Sequence, residues 1–136
     1  TNNSLEITSI NNKLGRIYSL KSKLEIESLF ESGTRISSYP YTVFFKKVKF
    51  EENVPFKLVF SAPKRTFRFA HKRNRIKRLM KEAVRLNKHP LESALLKNNV
   101  QIAFFLIYST KEEVGLDLLQ KKTVKLFNKI IQQLNA

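Results

Sequence analysis

The sequence predicts an α+β protein: one α/β sandwich domain in the order helix, strand, strand, helix, strand, helix. Three observations point there. Apolar residues recur at helical spacing in three segments, and β-branched and aromatic residues crowd three others. No repeat, low-complexity tract or linker divides the 136 residues, a length that suits one compact domain.

Residues 1–18 are rich in Asn and Ser with scattered apolar side chains, and a loose arm is expected there. Ser22 and Glu25 stand at capping-box spacing and open a helix running to Ser32. Ile26, Leu29 and Phe30 share one stripe of it, and Gly33 is placed for a left-handed C-terminal residue. Residues 34–40 could add a short edge strand. Tyr41 to Phe50 reads as a strand, 51–55 as a polar turn, and Phe56 to Ala62 as a strand folding back in a hairpin that Pro63 ends. From Ala70 to Lys88, Ile76, Leu79, Met80, Ala83 and Val84 trace one helical stripe. Pro90 marks a loop. Val100 to Tyr108, apolar on both faces, reads as a central strand. Gly115 introduces a last helix that buries Leu119, Leu126, Phe127, Ile130, Ile131 and Leu134.

Composition narrows the function. Twenty-six Lys and Arg against eleven Asp and Glu give a formal charge of +15, so a polyanionic partner is expected. Eleven Phe and 42% hydrophobic residues supply a core and exclude a disordered chain. The absence of cysteine excludes disulfides, zinc ribbons and thiol catalysis, and suits a cytoplasmic protein. The longest apolar run, Ile102 to Tyr108, falls far short of the roughly 20 residues that span a bilayer, and no secretory signal is expected.

The charge is concentrated. Between Lys64 and Lys88 stand eleven Lys or Arg and a single acid, Glu82. At about 100° per residue, Asn74, Arg78, Lys81 and Arg85 cluster opposite Ile76, with Arg75 and Lys77 flanking them. Arg73 falls near the apolar margin. Solvated helices usually mix both signs, so this stripe points to nucleic acid. Lys72, Arg73 and Arg75 add cations where the helix N-terminus already favours phosphate. For His71, phosphate contact or helix capping is the simplest role.

The aromatic residues are the second feature. Tyr41, Val43 and Phe45 should face one way, and Thr42, Phe44 and Lys46 the other. Phe44 beside cations is the composition of a stacking platform for bases, although any single Phe is more often core. Catalytic groupings are missing. His71 and His89 have no Asp or Glu at metal-ligand spacing, and no Gly-rich phosphate loop or nucleophile elbow occurs. The pattern is that of a binder; an independent metal-dependent nuclease is disfavoured.

The run Arg73-Asn74-Arg75-Ile76-Lys77-Arg78, followed by Glu82 and Arg85 on one helix, resembles the signature of the bacterial ribonuclease P protein. Lys64-Arg65, Arg68, Ala70-His71 and the early Ile26, Phe30, Gly33 and Thr34 fit the same family, over about residues 18 to 134. The resemblance implies a binding domain over 19–136 and an α/β sandwich with a left-handed strand–helix–strand crossover. It implies a subunit whose partners are ribonuclease P RNA and precursor tRNA, with catalysis and magnesium belonging to the RNA and no cofactor bound by the protein alone. By position, Arg68, His71, Lys72, Arg73, Asn74, Arg75, Lys77, Arg78, Lys81 and Arg85 would meet the catalytic RNA. Ile26, Phe30, Phe44, Lys46, Lys64 and Arg65 would form a cleft for the single-stranded 5′ leader. Ile26 stands where the family often has an aromatic, and Lys81 where it often has Arg. A ribosomal-type scaffold is the alternative that composition leaves open.

Overall fold

A computed structural model describes residues 18–135. Along the chain run α1 (Lys23–Ser32), β1 (Thr34–Ser38), β2 (Tyr41–Val48), β3 (Phe56–Ser61), α2 (Ala70–Asn87), α3 (His89–Lys97), β4 (Gln101–Tyr108) and α4 (Leu116–Asn135). The expected loose arm, 1–18, lies outside the described residues except for Tyr18, which is buried.

Local chemistry explains most boundaries. The Ser22 hydroxyl accepts from the Glu25 amide at 3.3 Å and starts α1 as the capping-box spacing predicts. Gly33 ends that helix in an extended conformation, φ −76°, and not in the left-handed region expected. Its requirement is space: a Cβ there would stand 2.4 Å from the Leu29 carbonyl oxygen and 3.2 Å from that of Phe45. The segment 34–40 does supply an edge strand, β1. Helix α3 was not expected, because Pro90 reads as a breaker. Proline is tolerated in a first helical turn, where its missing N–H costs nothing, and Leu91 and Leu95 then bury one turn apart.

The four strands are ordered β1-β2-β4-β3. β4 pairs antiparallel with β2 and parallel with β3, so it is the central strand that its two apolar faces predict. The hairpin expected between β2 and β3 is not formed. Consecutive strands usually pair, but β4 needs apolar cover on both sides and takes the place between them. The connection 49–55 therefore hops across the start of β4, and Gln101 staples it there. Gln101 Nε2 donates to the carbonyls of Glu52 (2.9 Å) and Val54 (2.8 Å), and its Oε1 accepts from the Phe50 amide at 2.9 Å.

The sheet separates two apolar layers. On one face Tyr41, Val43, Phe45, Phe56, Leu58, Phe104 and Leu106 pack with Ile76, Met80 and Val84 of α2, Leu91 and Leu95 of α3, and Leu119, Leu126 and Phe127 of α4. On the other, Leu29 of α1 packs with Leu20 and Ala103, flanked by Ile26, Phe44, Val59 and Phe105. Polar groups buried in the larger layer are paired. The Tyr41 and Thr123 hydroxyls meet at 2.9 Å, and the Tyr108 hydroxyl accepts from the Val114 amide at 2.9 Å.

The most costly pairing lies at the turn from α2 into α3. Lys88 and Glu92 are both fully buried, and the Lys88 ammonium donates to Glu92 Oε1 at 2.9 Å. The Tyr18 hydroxyl donates to the other carboxylate oxygen at 2.9 Å, and Lys88 Nζ lies 5.2 Å from the centre of the Tyr18 ring. Burial pushes the Glu92 carboxyl up from its ordinary range, against the pull of Lys88 and the Tyr18 hydrogen bond. This network anchors the start of the described chain against α3. Glu92→Ala, which strips Lys88 of its carboxylate, should cost about 3–5 kcal/mol in urea unfolding, and the apolar pair Lys88→Met/Glu92→Leu should recover most of it. A loss below about 1 kcal/mol for Glu92→Ala would mean that the network does not hold the fold.

Candidate nucleic-acid interface

Helix α2 shows its charge as its periodicity predicts. Ile76, Met80, Ala83 and Val84 are buried, while Asn74, Arg75, Lys77, Arg78 and Lys81 are exposed. Lys72, Arg73 and Arg85 are half-buried. Their partners divide the cations into two sets. Arg73 turns back and donates to the carbonyls of Phe67 (2.9 Å) and Arg68 (3.0 Å), fastening the loop that leads into the helix. Arg75 pairs with Glu113, which also lies 3.6 Å from Lys72. Arg85 Nε donates to Glu82 at 3.1 Å, and that bond holds the Glu82 carboxyl below its usual range. Lys77, Arg78 and Lys81 form no ion pair among the described residues, so they and Asn74 make the open ridge.

The start of α2 differs from expectation. Its N-cap is Phe69, which makes no side-chain capping bond, and His71 does not cap the helix. His71 instead stacks on Phe69, with ring centres 5.7 Å apart and planes at 25°, while the Arg68 guanidinium lies 5.9 Å from the Phe69 ring. Phe69 is 55% exposed, so Arg68, Phe69 and His71 form a stack open to solvent. Position alone could have flagged Phe69, since it falls within a basic run.

The opposite face of the sheet carries the aromatic cleft. The strand registers align Arg35, Phe44, Phe105 and Val59 in one row across the four strands. Phe30 of α1, 47% exposed, lies over that row, 4.8 Å from Phe44 and 4.9 Å from Phe105 between ring centres. Ile26 packs against the same layer. Lys46, in the next row, donates to the hydroxyls of Ser28 (2.5 Å) and Ser32 (3.2 Å), so its ammonium bridges sheet and helix. The structure thus brings together four of the six expected cleft residues. Lys64 and Arg65 are exposed in the turn after β3, outside the strands and the helix that carry the cleft. Phe105 and Arg35 were missed. Alternation along β4 sets Phe105 opposite Phe104, and alternation along β1 would have given Arg35 the same face.

The two faces differ in charge. α2 and α4 together carry eleven Lys and Arg against Glu82 and Asp117, whereas α1 has Glu25, Glu27 and Glu31 against Lys23. Cations of the cleft therefore come from the sheet, not from the helix above it. Among the described residues no three His, Asp or Glu side chains converge as a metal site, and no helix is long and apolar enough to cross a membrane.

Fold and site together define a small α+β protein with a basic helical ridge on one side of its sheet and an aromatic cleft on the other. The family model described as Ribonuclease P matches residues 14–131. The Ribonuclease P protein component of Porphyromonas gingivalis (strain ATCC 33277) is 36% identical over 85 residues, covering 61% of this chain and 62% of that protein. The component of Borrelia turicatae is 32% identical over 100 residues, covering 74% of this chain and 80% of that protein. The chain thus spans about 62% of the length of the first of these relatives. Among solved structures, the RNase P protein of Thermotoga maritima superimposes with a TM-score of 0.64 at 19% identity, over 82% of this chain and 96% of that one. The RNase P protein of Staphylococcus aureus gives 0.63 at 19%, over 83% and 94%, a likeness of fold. The chain belongs to the ribonuclease P protein family.

Arg73 and Arg78 should separate under substitution. Arg73→Ala removes two hydrogen bonds to backbone and should lower stability by about 1–3 kcal/mol in thermal or urea unfolding. Arg78→Ala should leave stability within about 0.5 kcal/mol. Equal losses for the two would contradict the division of α2 into a fastening residue and an open ridge.

Proposed function

We propose that this chain is the protein subunit of ribonuclease P, binding the catalytic RNA through α2 and the single-stranded 5′ leader of precursor tRNA in the α1–sheet cleft. The observation that supports this reading is a basic helical ridge on one side of the sheet and an aromatic cleft with a lysine beside it on the other. The open ridge of Asn74, Lys77, Arg78 and Lys81 offers donors at helical spacing, which suits the phosphates of a structured RNA. Arg68, His71, Lys72, Arg75 and Arg85 extend it at either end, and Arg73 holds the loop that presents Arg68 and Phe69. The Phe30–Phe44–Phe105 cluster with Lys46 beside it offers what an unpaired strand needs, a face for stacking and a cation for the backbone. Ile26 lines the cleft as an apolar wall, and Lys64 and Arg65 meet the strand only beyond the end of β3.

In this reading the protein does no covalent chemistry. Hydrolysis of the leader and the magnesium ions that assist it are assigned to the RNA, as the resemblance to ribonuclease P proteins implies. The protein raises the local affinity for substrate and lowers the repulsion between two polyanions that must lie side by side. Such work takes place in the cytoplasm.

The test is reconstitution of this protein with a bacterial ribonuclease P RNA and a precursor tRNA at low magnesium. Protein-dependent release of the 5′ leader is the expected result. Tight, salt-sensitive RNA binding with no stimulation of leader release would favour a scaffold that only binds RNA. In the same assay Phe30→Ala should weaken binding of precursor tRNA by about 1–3 kcal/mol and leave mature tRNA unaffected. An equal effect on both would remove the leader from the cleft.

A further inference from the structure

Phe69, at the start of α2, is 55% exposed and belongs to neither apolar layer of the core. It holds the N-cap position, where Ser, Thr, Asp or Asn would satisfy a free amide, and it makes no capping bond. The ring therefore serves neither the core nor the helix end. Its neighbours are planar and nitrogen-bearing. The His71 ring stacks on it with centres 5.7 Å apart, and the Arg68 guanidinium lies 5.9 Å from its centre. Both are offset contacts that leave much of the ring open.

The segment beneath this stack is pinned. Phe67, two residues earlier, is buried against Tyr108 with ring centres 5.6 Å apart. The amides of Thr66 and Phe67 donate to the Pro63 carbonyl at 3.0 and 2.9 Å, and Arg73 grips the carbonyls of Phe67 and Arg68. A support ordered in advance lowers the cost of binding a ligand on it.

His71 joins the stack to the basic ridge. Positions 71, 74, 75 and 78 stand at i, i+3, i+4 and i+7, so His71 opens the row that continues through Asn74, Arg75 and Arg78. All four are exposed, and His71 to Arg78 spans about 10 Å of the helix axis. No Asp or Glu occurs from Pro63 to Lys81. Neither Arg68 nor His71 forms an ion pair among the described residues.

We propose that Phe69, flanked by Arg68 and His71, is a stacking site for one unpaired base of ribonuclease P RNA, next to the phosphates held by the α2 ridge. The site rests on the reading of the chain as a ribonuclease P subunit and adds a base contact to a surface which that reading gives to phosphates. A paired A-form segment hides the faces of its bases, so the base is a bulged, looped or joining nucleotide. Every base has a flat π face, and a ring beside a guanidinium and an imidazole extends readily into a longer stack. An acidic protein fits less well, because one ring gives no apolar centre to anchor it. A membrane surface fits less well, because Asn74, Arg75 and Arg78 give a bilayer no apolar side to bury.

The chain contains no Trp, so Phe69→Trp in the full chain is a single fluorescent reporter that keeps a stacking ring. Ribonuclease P RNA should quench it and bind it with close to wild-type affinity. Phe69→Ala should weaken binding roughly 5- to 150-fold, the worth of one stacked base. Its slope of log affinity against log salt should stay unchanged, since no phosphate contact is lost. Phe69→Leu, apolar but without a π face, should bind nearly as weakly. Arg78→Gln/Lys81→Gln on the ridge should instead lower the slope by about 2. Wild-type affinity in Phe69→Ala beside a lowered slope in the ridge variant would overturn the stacking site and leave the proposed function standing. Unaltered binding in both would overturn the two readings together. Quenching by a 5′-leader oligonucleotide or by phosphatidylglycerol vesicles, with none by ribonuclease P RNA, would also overturn the site.

Discussion

The insertion of β4 between β2 and β3 is the constraint on which the other features depend. A strand carrying Ile102, Phe104, Leu106 and Tyr108 on one face and Ala103 and Phe105 on the other must be covered from both sides. Once it lies between β2 and β3, pairing parallel with β3, the chain must cross from one end of the sheet to the other. Helices α2 and α3 make that crossing. The most basic helix of the protein is therefore also its obligatory crossover, and packing of Ile76, Met80 and Val84 on the sheet fixes which of its sides faces solvent. The same strand places Phe105 beside Phe44, and the cleft under α1 is built on that pair.

A second consequence is electrical. A formal charge of +15 opposes compactness, and the fold answers by segregation more than by neutralisation. The few acids near the basic helix are spent locally: Glu113 on Lys72 and Arg75, Glu82 on Arg85. The rest of the ridge, Lys77, Arg78 and Lys81, forms no ion pair among the described residues. Exposed pairs of this kind add little to stability, so their effect is to fix side-chain direction. The buried Lys88–Glu92 pair, with Tyr18, works differently. It lies where α2 passes into α3 and ties the crossover to the segment that precedes α1.

Much of this was legible in the sequence, and the parts that were not share a cause. The stripes of α2 and α4 are local and repeated, so spacing alone gives both the buried side and the basic one. β4 was legible as central because its two apolar faces are written into consecutive residues. Strand order was not. Pairing β2 with β3 satisfies every local signal, and only competition with β4, over 40 residues away, reverses it. α3 was hidden by Pro90, whose effect depends on whether it falls in a first turn. In the site, alternation puts Phe44 and Lys46 on one face, whereas Phe30 as a cleft residue came from the resemblance to ribonuclease P proteins. Phe105 and Arg35 needed the register, and the inward use of Arg73 needed the loop carbonyls that it reaches. The Lys88–Glu92 spacing is visible in the sequence, but nothing there says that both are buried.

The proposed function requires one sheet to keep two RNA surfaces apart, with catalytic RNA on the α2 side and leader on the α1 side. Site-specific photocross-linking in the reconstituted complex tests it most directly, with one probe at position 78 and another at position 30, each in an otherwise unchanged chain. The account predicts cross-links from position 78 to ribonuclease P RNA and from position 30 to the 5′ leader of precursor tRNA. Cross-links from both positions to the same strand, or from position 30 to the catalytic RNA alone, would contradict it.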